Sequence, residues 1–251
     1  MMAETAPVLR RHPVTHSYAQ WQAARQADSE VRFSEWLRSA AEPEWTAVID
    51  HPFAAAINRG DAPRDRMRRY LTQDFQFVDS FTALLGAAVA CADTFEARVP
   101  FGRFLGETVS DTERGYFHRA LAALGADPAD RPRLERVTEE FRALMNEARD
   151  SQDYPLILAV LCVAEWSYLG WASQAVPPLP GDFLYREWIE LHSGLDFEAW
   201  VAFLRGELDR LGPTLAEPHQ YRVRDAFRRA THLERGFFDM AAASSGDPDR
   251  R

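Results

Sequence analysis

The sequence contains no lysine, because every one of its 29 Lys or Arg positions is arginine. Pyridoxal phosphate enzymes need a lysine for their Schiff base, and Walker-type NTPases hold phosphate with one. Both classes are therefore excluded. Cysteine is also scarce, since only Cys91 and Cys162 occur, each in an apolar segment with helical periodicity. Two such cysteines indicate neither a disulfide framework nor a zinc site.

An excess of basic charge and long apolar runs are missing as well. The net charge of -9 and the pI near 5.3 argue against a nucleic-acid partner, whose phosphates need a basic face. We find no uninterrupted run of about 18 apolar residues, the length that spans a membrane, and no apolar signal-peptide core near the N-terminus. We therefore expect a cytoplasmic protein that binds neither membrane nor nucleic acid.

The alternation of apolar and polar residues that is typical of strands is hard to find, whereas apolar residues recur at three- and four-residue spacing. This pattern predicts an all-α fold. We expect a partly disordered or helical extension over 1–30, one helical domain over 31–243 and a disordered tail over 244–251. The predicted helices lie near 17–28, 31–48, 63–92, 96–125, 131–149, 153–175, 182–192, 195–212 and 220–243.

Three carboxylates, Asp74, Glu165 and Glu234, fall on the apolar faces of predicted helices. A buried carboxylate without a partner is costly, so each needs a reason. One interpretation is that each is a structural acid, paired with an arginine or capping nearby backbone. The other is that acids converging in a helical core line a ligand site or hold a metal.

A di-iron centre in a helical bundle uses Glu-x-x-His pairs, and this sequence has none. His118, His192 and His232 lie on predicted helices without that spacing, which favours core or surface roles. We therefore expect no metal and no other cofactor.

Three motifs together resemble the TenA-like (thiaminase II) family, and they span nearly the whole predicted globular part. They are "HPFAAAINRGDAPRDRMRRYLTQDFQFVDSF", "YREWIELHSGLDF" and "FRRATHLERGFFDMA". The resemblance implies a heme-oxygenase-like helical bundle without heme, often a homo-oligomer. It also implies action on the aminopyrimidine half of thiamin or on its breakdown products.

The resemblance assigns roles to single positions. The pyrimidine-binding aspartate of the family falls on Asp74 and its essential C-terminal glutamate on Glu234. The nucleophilic cysteine of the main branch falls on Ala164, so the thiol is missing. Glu165 instead begins an E-x-x-Y like that of the cysteine-lacking branch. Cys162 lies about 200° around an ideal helix from position 164, which favours a packing role.

Three further positions depart from the family at the implied substrate pocket. Phe77, Phe141 and His192 stand where the resemblance places tyrosines, while Tyr168 keeps the tyrosine of the E-x-x-Y motif. We expect all four to contact substrate. With hydroxyl groups lost, the pocket is expected to have changed its substrate.

The expected reaction is hydrolysis of a C–N bond in aminomethyl- or formylaminomethyl-pyrimidine during thiamin salvage. Burial raises the pKa of a glutamate, which suits proton transfer near neutral pH. Glu165 is expected to activate water or to carry the proton to the leaving amine, with Glu234 as its partner and Asp74 binding the pyrimidine. Two alternatives stay open: an oxidase like pyrroloquinoline quinone synthase or the di-iron relatives, and a non-catalytic pyrimidine-binding regulator.

Overall fold

The computed structural model describes residues 16–25, 31–130 and 132–243, and these residues form helices and no strands. The predicted all-α fold is therefore confirmed. The α-helices are α1 (Tyr18–Ala23), α2 (Phe33–Ala40), α3 (Glu44–Ile49), α4 (Pro52–Arg59), α5 (Arg64–Cys91), α6 (Phe95–Arg103), α7 (Arg114–Ala123), α8 (Arg136–Ser151), α9 (Tyr154–Ala172), α10 (Phe183–Leu191), α11 (Leu195–Leu211) and α12 (Glu217–Ala242). A π-helix spans Phe104–Glu113, and a short 3₁₀ turn spans Gly212–Thr214.

The centre of the bundle is α9, which is apolar nearly all round and packs against α3, α5, α8, α11 and α12. A helix with that composition is stable only when other helices cover it. In α5 and α9 the length and mean hydropathy reach those of a membrane span, and 39% of the α5 window and 72% of the α9 window are buried inside the bundle. Core helices of a bundle pass the same test, so two such helices are weak evidence for a membrane.

The N-terminal half contains more helices than the sequence predicted. The single helix expected over 31–48 is two helices, α2 and α3, because the chain breaks at residues 41–43 around Pro43. The intervening helix α4 was not predicted. It begins with Pro52, the His51 side chain accepts a hydrogen bond from the Phe53 backbone N–H, and it ends at Gly60 with a left-handed φ of 74°.

The helix expected over 96–125 is also divided, into α6, the π-helix and α7. Pro100 lies inside α6, and Gly106 lies within the π-helix, so this segment is poor at continuing a regular α-helix. Within the predicted N-terminal extension, α1 packs on the domain through Tyr18 and Trp21. The disorder expected over 1–12 and 244–251 falls outside the described residues.

Candidate active site

A small pocket of about 40 Å³ lies where α5, α9 and α12 meet, and the π-helix and the end of α10 complete its wall. Four carboxyl groups reach this pocket, and aromatic rings form much of the remaining wall. The lining residues are Asp74, Phe77, Val78, Phe81, Glu113, Ala164, Glu165, Tyr168, Trp188, His192 and Glu234.

Helical periodicity explains how the side chains arrive there. On α5, residues 74, 77, 78 and 81 follow the i, i+3, i+4, i+7 pattern and share one face. On α9, Glu165 and Tyr168 are three residues apart and share another. Glu234 comes from α12, and it is only 2% exposed, against 7% for Asp74 and for Glu165. Three residues distant in sequence are thus brought to one cavity by three packed helices.

These three buried carboxyl groups have no ionic partner among the residues that the structure describes. Within the described part of the chain, no arginine or histidine forms an ion pair with any of them. Nearby arginines are used elsewhere, since Arg69 pairs with Glu135 and Arg205 pairs with Glu35. The interpretation that the three are structural acids paired with arginines does not fit this arrangement.

Burial dominates the protonation of the three acids. It raises the pKa of Asp74, of Glu165 and of Glu234 well above ordinary carboxyl values, because the charged form loses its hydration. The charges of Asp74 and Glu165 raise the pKa of Glu234 further. One contact opposes the effect of burial on Glu165: the Trp200 indole N–H donates a 3.0 Å hydrogen bond to Glu165 and lowers the pKa of that carboxyl. These groups therefore retain protons to a higher pH than exposed carboxyls do.

A fourth carboxyl, Glu113, was missed by the sequence reasoning. It is the last residue of the π-helix and is only partly exposed. Burial raises the pKa of Glu113 to about 7. A signal was present in the sequence: Glu113 begins an i, i+3, i+4 stripe with Tyr116 and Phe117, both buried. The rule that singled out Asp74 would have found it.

An aromatic cluster borders the acids on the α10 side. The hydroxyl groups of Tyr70 and Tyr168 lie 2.6 Å apart, and the ring of Tyr168 lies 4.7 Å from that of His192. His192 Nδ1 is 2.8 Å from the backbone carbonyl oxygen of Trp188. Since a carbonyl only accepts, Nδ1 carries the hydrogen. Burial lowers the pKa of His192 to about 4, so the ring is neutral near pH 7 and its Nε2 is an acceptor.

The structure brings six of the seven predicted site residues to the pocket wall, the exception being Phe141. The Phe141 ring packs edge-on against Phe77, with centroids 4.9 Å apart, and therefore lies behind the wall on α8. Val78, Phe81, Ala164 and Trp188 line the pocket although they were not singled out as substrate contacts.

The two candidate positions for a thiol are in different environments. Ala164, where the family resemblance places the nucleophile, lines the pocket. Cys162 is fully buried in the core and does not line it. Burial raises the pKa of the Cys162 thiol, although the charge of Arg205 opposes this shift. The position that faces the pocket carries a methyl group, and the thiol two residues earlier is held in its unreactive form.

Comparison with known proteins places the chain in a family. The chain belongs to the TENA/THI-4/PQQC family, whose model matches residues 38–244. It is 25% identical to the aminopyrimidine aminohydrolase of Halalkalibacterium halodurans, over 84% of this chain and 96% of that protein. It is 26% identical to the aminopyrimidine aminohydrolase of Bacillus subtilis, over 87% of this chain and 93% of that protein.

Solved structures show the same fold. A protein from a Silicibacter species, described as a TenA family transcription regulator, superposes with a TM-score of 0.75 at 23% identity, covering 84% of this chain and 96% of its own. A TenA homologue from Pyrococcus furiosus has a TM-score of 0.75 at 19% identity, covering 83% of this chain and 99% of its own. The predicted family and the heme-oxygenase-like helical fold are confirmed.

Proposed function

We propose that this protein is an aminopyrimidine aminohydrolase that hydrolyses a C–N bond in breakdown products of thiamin. Its substrates are aminomethyl-pyrimidine or formylaminomethyl-pyrimidine, and its role is thiamin salvage. One observation supports this above all: Asp74, Glu165 and Glu234 converge on one aromatic pocket, where none of the described residues forms an ion pair with them. The names of the curated relatives support the same substrate class.

The pocket offers groups that match an aminopyrimidine. The ring is planar, its nitrogens accept hydrogen bonds and its exocyclic amine donates them. A carboxyl group that retains its proton donates with one oxygen and accepts with the other, so Asp74 can pair with a ring nitrogen and the neighbouring amine. Phe77 and Tyr168 supply flat apolar surface, and His192 supplies an acceptor through Nε2.

Catalysis in this proposal does not use a thiol. Glu165 donates its proton to the leaving amine, because its raised pKa keeps the proton on this carboxyl to a higher pH than on an exposed glutamate, and the Trp200 N–H holds the carboxyl in place. Glu234, whose pKa is raised partly by Glu165, is the second group in this proton transfer. Since Ala164 replaces the nucleophile, we assign the chain to the cysteine-lacking branch of the family.

We propose that substrate entry widens the pocket, because a cavity volume of about 40 Å³ is small for a ligand site. Four of the walls are α-helical segments of the bundle. The π-helix is the wall that can most easily move, because π-helical segments are less stable than α-helices and occur at functional sites.

Two alternatives are less well supported. An oxidase with a metal centre needs a ligand set, and the described residues contain no group of three or more His, Cys, Asp or Glu side chains placed to hold one ion. A non-catalytic regulator agrees with the description of the Silicibacter protein. It leaves unexplained why three carboxyl groups stay buried without an ionic partner among the described residues, at a cost in stability.

The decisive experiment incubates purified protein with each pyrimidine and measures release of ammonia or formate together with the pyrimidine product. We expect turnover of at least one substrate, unchanged after treatment with a chelator. The Glu147→Gln variant, which alters an exposed glutamate paired with Arg229, is the control for Glu165→Gln. Binding without turnover would support the regulator, and turnover that requires metal would support the oxidase.

The proposal also includes a homo-oligomer in the cytoplasm. Phe95 and Val99 lie one turn apart on α6 and are 72% and 49% exposed, and large exposed apolar side chains are typical of interfaces. Two free cysteines and no disulfide in the described residues are compatible with a reducing compartment.

A further inference from the structure

We infer that Glu113 is a further catalytic residue of this site, which accepts the proton of the attacking water while Glu165 donates a proton to the leaving amine. This inference rests on the proposed function and deepens it. It assigns separate base and acid roles to two carboxyl groups, and Glu113 had no counterpart among the residues that the family resemblance carried over.

Glu113 is placed to reach both the substrate pocket and solvent. It lines the same cavity as Glu165, but it comes from the π-helix rather than from the bundle. It is partly exposed, whereas Asp74, Glu165 and Glu234 are almost fully buried. A base at the outer side of the pocket can take a proton from water and release it to solvent after each turnover.

The charge of Glu113 acts on the other acids of the pocket. After burial, the charge of Glu113 is the next largest cause that raises the pKa of Asp74 and the pKa of Glu165. Glu113 itself ionises near neutral pH, since its pKa is about 7. An ionised Glu113 therefore keeps the proton on Glu165. Pairs of groups whose environments separate their protonation states in this way are typical of acid–base catalysis.

No cation of the described residues offsets this effect at the pocket. Besides Glu113, the titratable groups that face it are Asp74 on α5, Glu165 and Tyr168 on α9, Glu234 on α12 and His192 after α10, which is neutral near pH 7. Arg114, the next residue along the chain, is exposed, and its Nε lies 3.5 Å from the ring of His118 on α7.

The step balances for formylaminomethyl-pyrimidine. The water oxygen bonds to the formyl carbon, Glu113 takes a water proton, and the carbonyl electron pair moves to its oxygen. That pair then reforms the carbonyl, the C–N bond breaks, and the amine nitrogen takes the proton of Glu165. The products are formic acid and aminomethyl-pyrimidine. Transfer of a proton from Glu113 through solvent to Glu165 restores the starting state.

The test compares Glu113→Gln with Glu107→Gln, because Glu107 lies on the same π-helix, is exposed and pairs with Arg103 outside the pocket. We expect kcat/KM to fall about 10²- to 10⁴-fold for Glu113→Gln, the usual contribution of a general base. The limb of the pH–rate profile near pH 7 should be absent from the Glu113→Gln variant. Glu107→Gln should stay within about twofold of wild type, and Glu113→Asp should keep the pH limb at a reduced rate.

A second readout does not depend on turnover. Glu113 has a raised pKa in the folded protein, so its proton stabilises the fold below about pH 4.5, and this contribution is lost as the pH rises towards about 7. The Tm of Glu113→Gln relative to that of wild type should therefore rise from pH 5 to pH 8. The difference in Tm between Glu107→Gln and wild type should not change with pH.

The outcomes separate the two proposals. A wild-type protein that hydrolyses neither pyrimidine overturns the proposed function and this inference together. A wild-type protein that is active and is impaired by Glu165→Gln, but whose Glu113→Gln variant keeps its rate and pH profile, overturns this inference alone.

Discussion

The indole N–H of Trp200 on α11 donates a 3.0 Å hydrogen bond to the Glu165 carboxyl on α9, inside the core. The same indole stacks on Phe104 at the start of the π-helix, with ring centroids 4.1 Å apart. Glu113, at the other end of the π-helix, raises the pKa of Glu165 through its charge. Both ends of this segment therefore act on one carboxyl group.

Replacing Trp200 tests the hydrogen bond. Trp200→Phe keeps an aromatic ring but removes the donor that stabilises ionised Glu165, so the pKa of Glu165 should rise further. We expect the limb of the kcat–pH profile that depends on Glu165 to move to higher pH. Trp45→Phe, which makes the same change in the core away from the pocket, is the control. Equal shifts in both variants would assign the effect to packing.

Glu165 and Cys162 should respond differently to substitution. Glu165→Gln keeps nearly the same volume but removes the titrating group, so turnover should fall about two to four orders of magnitude while binding changes much less. Cys162→Ala should lower the free energy of unfolding by about 1 to 2 kcal/mol without changing the rate per folded molecule. Single-turnover kinetics and chemical denaturation measure the two effects. An inactive Cys162→Ala beside an active Glu165→Gln would show that the thiol is the nucleophile.

A thiol placed at position 164 should be reactive. In a Cys91→Ser background, Ala164→Cys puts sulfur on the pocket wall, whereas Cys162 stays buried in the core. We expect a small reagent such as iodoacetamide to modify the folded variant and to leave the background protein unmodified, as followed by mass spectrometry. Protection by aminomethyl-pyrimidine would place the ligand in the same pocket. Modification of the background protein at an equal rate would contradict the conclusion that position 164 faces the pocket and Cys162 does not.

The buried acids predict a stability that declines as the pH rises. A carboxyl with a raised pKa in the folded state binds its proton more tightly there, so its contribution is fully present below the unfolded pKa near 4.5 and is lost above it. The loss is about 1.4 kcal/mol per pH unit for each such group until its folded pKa is reached. Glu234→Gln should remove one of these contributions.

The free energy of unfolding of Glu234→Gln, compared with that of wild type, should therefore increase as the pH rises above about 4.5, until the pH reaches the raised pKa of folded Glu234. Denaturant titrations at several pH values measure this difference. The exposed Glu147→Gln variant should show no such trend. Parallel curves for Glu234→Gln and wild type would mean that Glu234 is not buried in solution.

The exposed apolar face of α6 should mediate self-association. Light scattering at micromolar concentration should give a mass above that of one chain, and Phe95→Ser with Val99→Ser should reduce it, because the change removes apolar surface from the interface. Val176→Ser, at another exposed apolar position, is the control. A monomeric wild type would refute the oligomer.

The acids on α5, α9 and α12 were found in the sequence because a charge on an apolar helical face is visible from spacing alone. The sequence did not reveal the break between α2 and α3, and it did not reveal the π-helix. In both places the apolar periodicity continues through the segment. Glu113, like Asp74, lies on an apolar helical face, but that face is shorter. Phe141 was placed at the pocket through the resemblance, but its ring lies behind Phe77. Depth behind a pocket wall depends on helix packing, and sequence spacing does not report it.

The sequence by itself determined the helical class, the family and the three acids that need an explanation, because these follow from periodicity, motifs and the cost of burying charge. Tertiary structure alone decided that the acids meet without an arginine partner in the described part of the chain, that Ala164 rather than Cys162 faces the pocket, and that Glu113 joins them. The physical reason is that periodicity fixes the face of a helix on which a residue lies. What that face meets depends on how the helices pack.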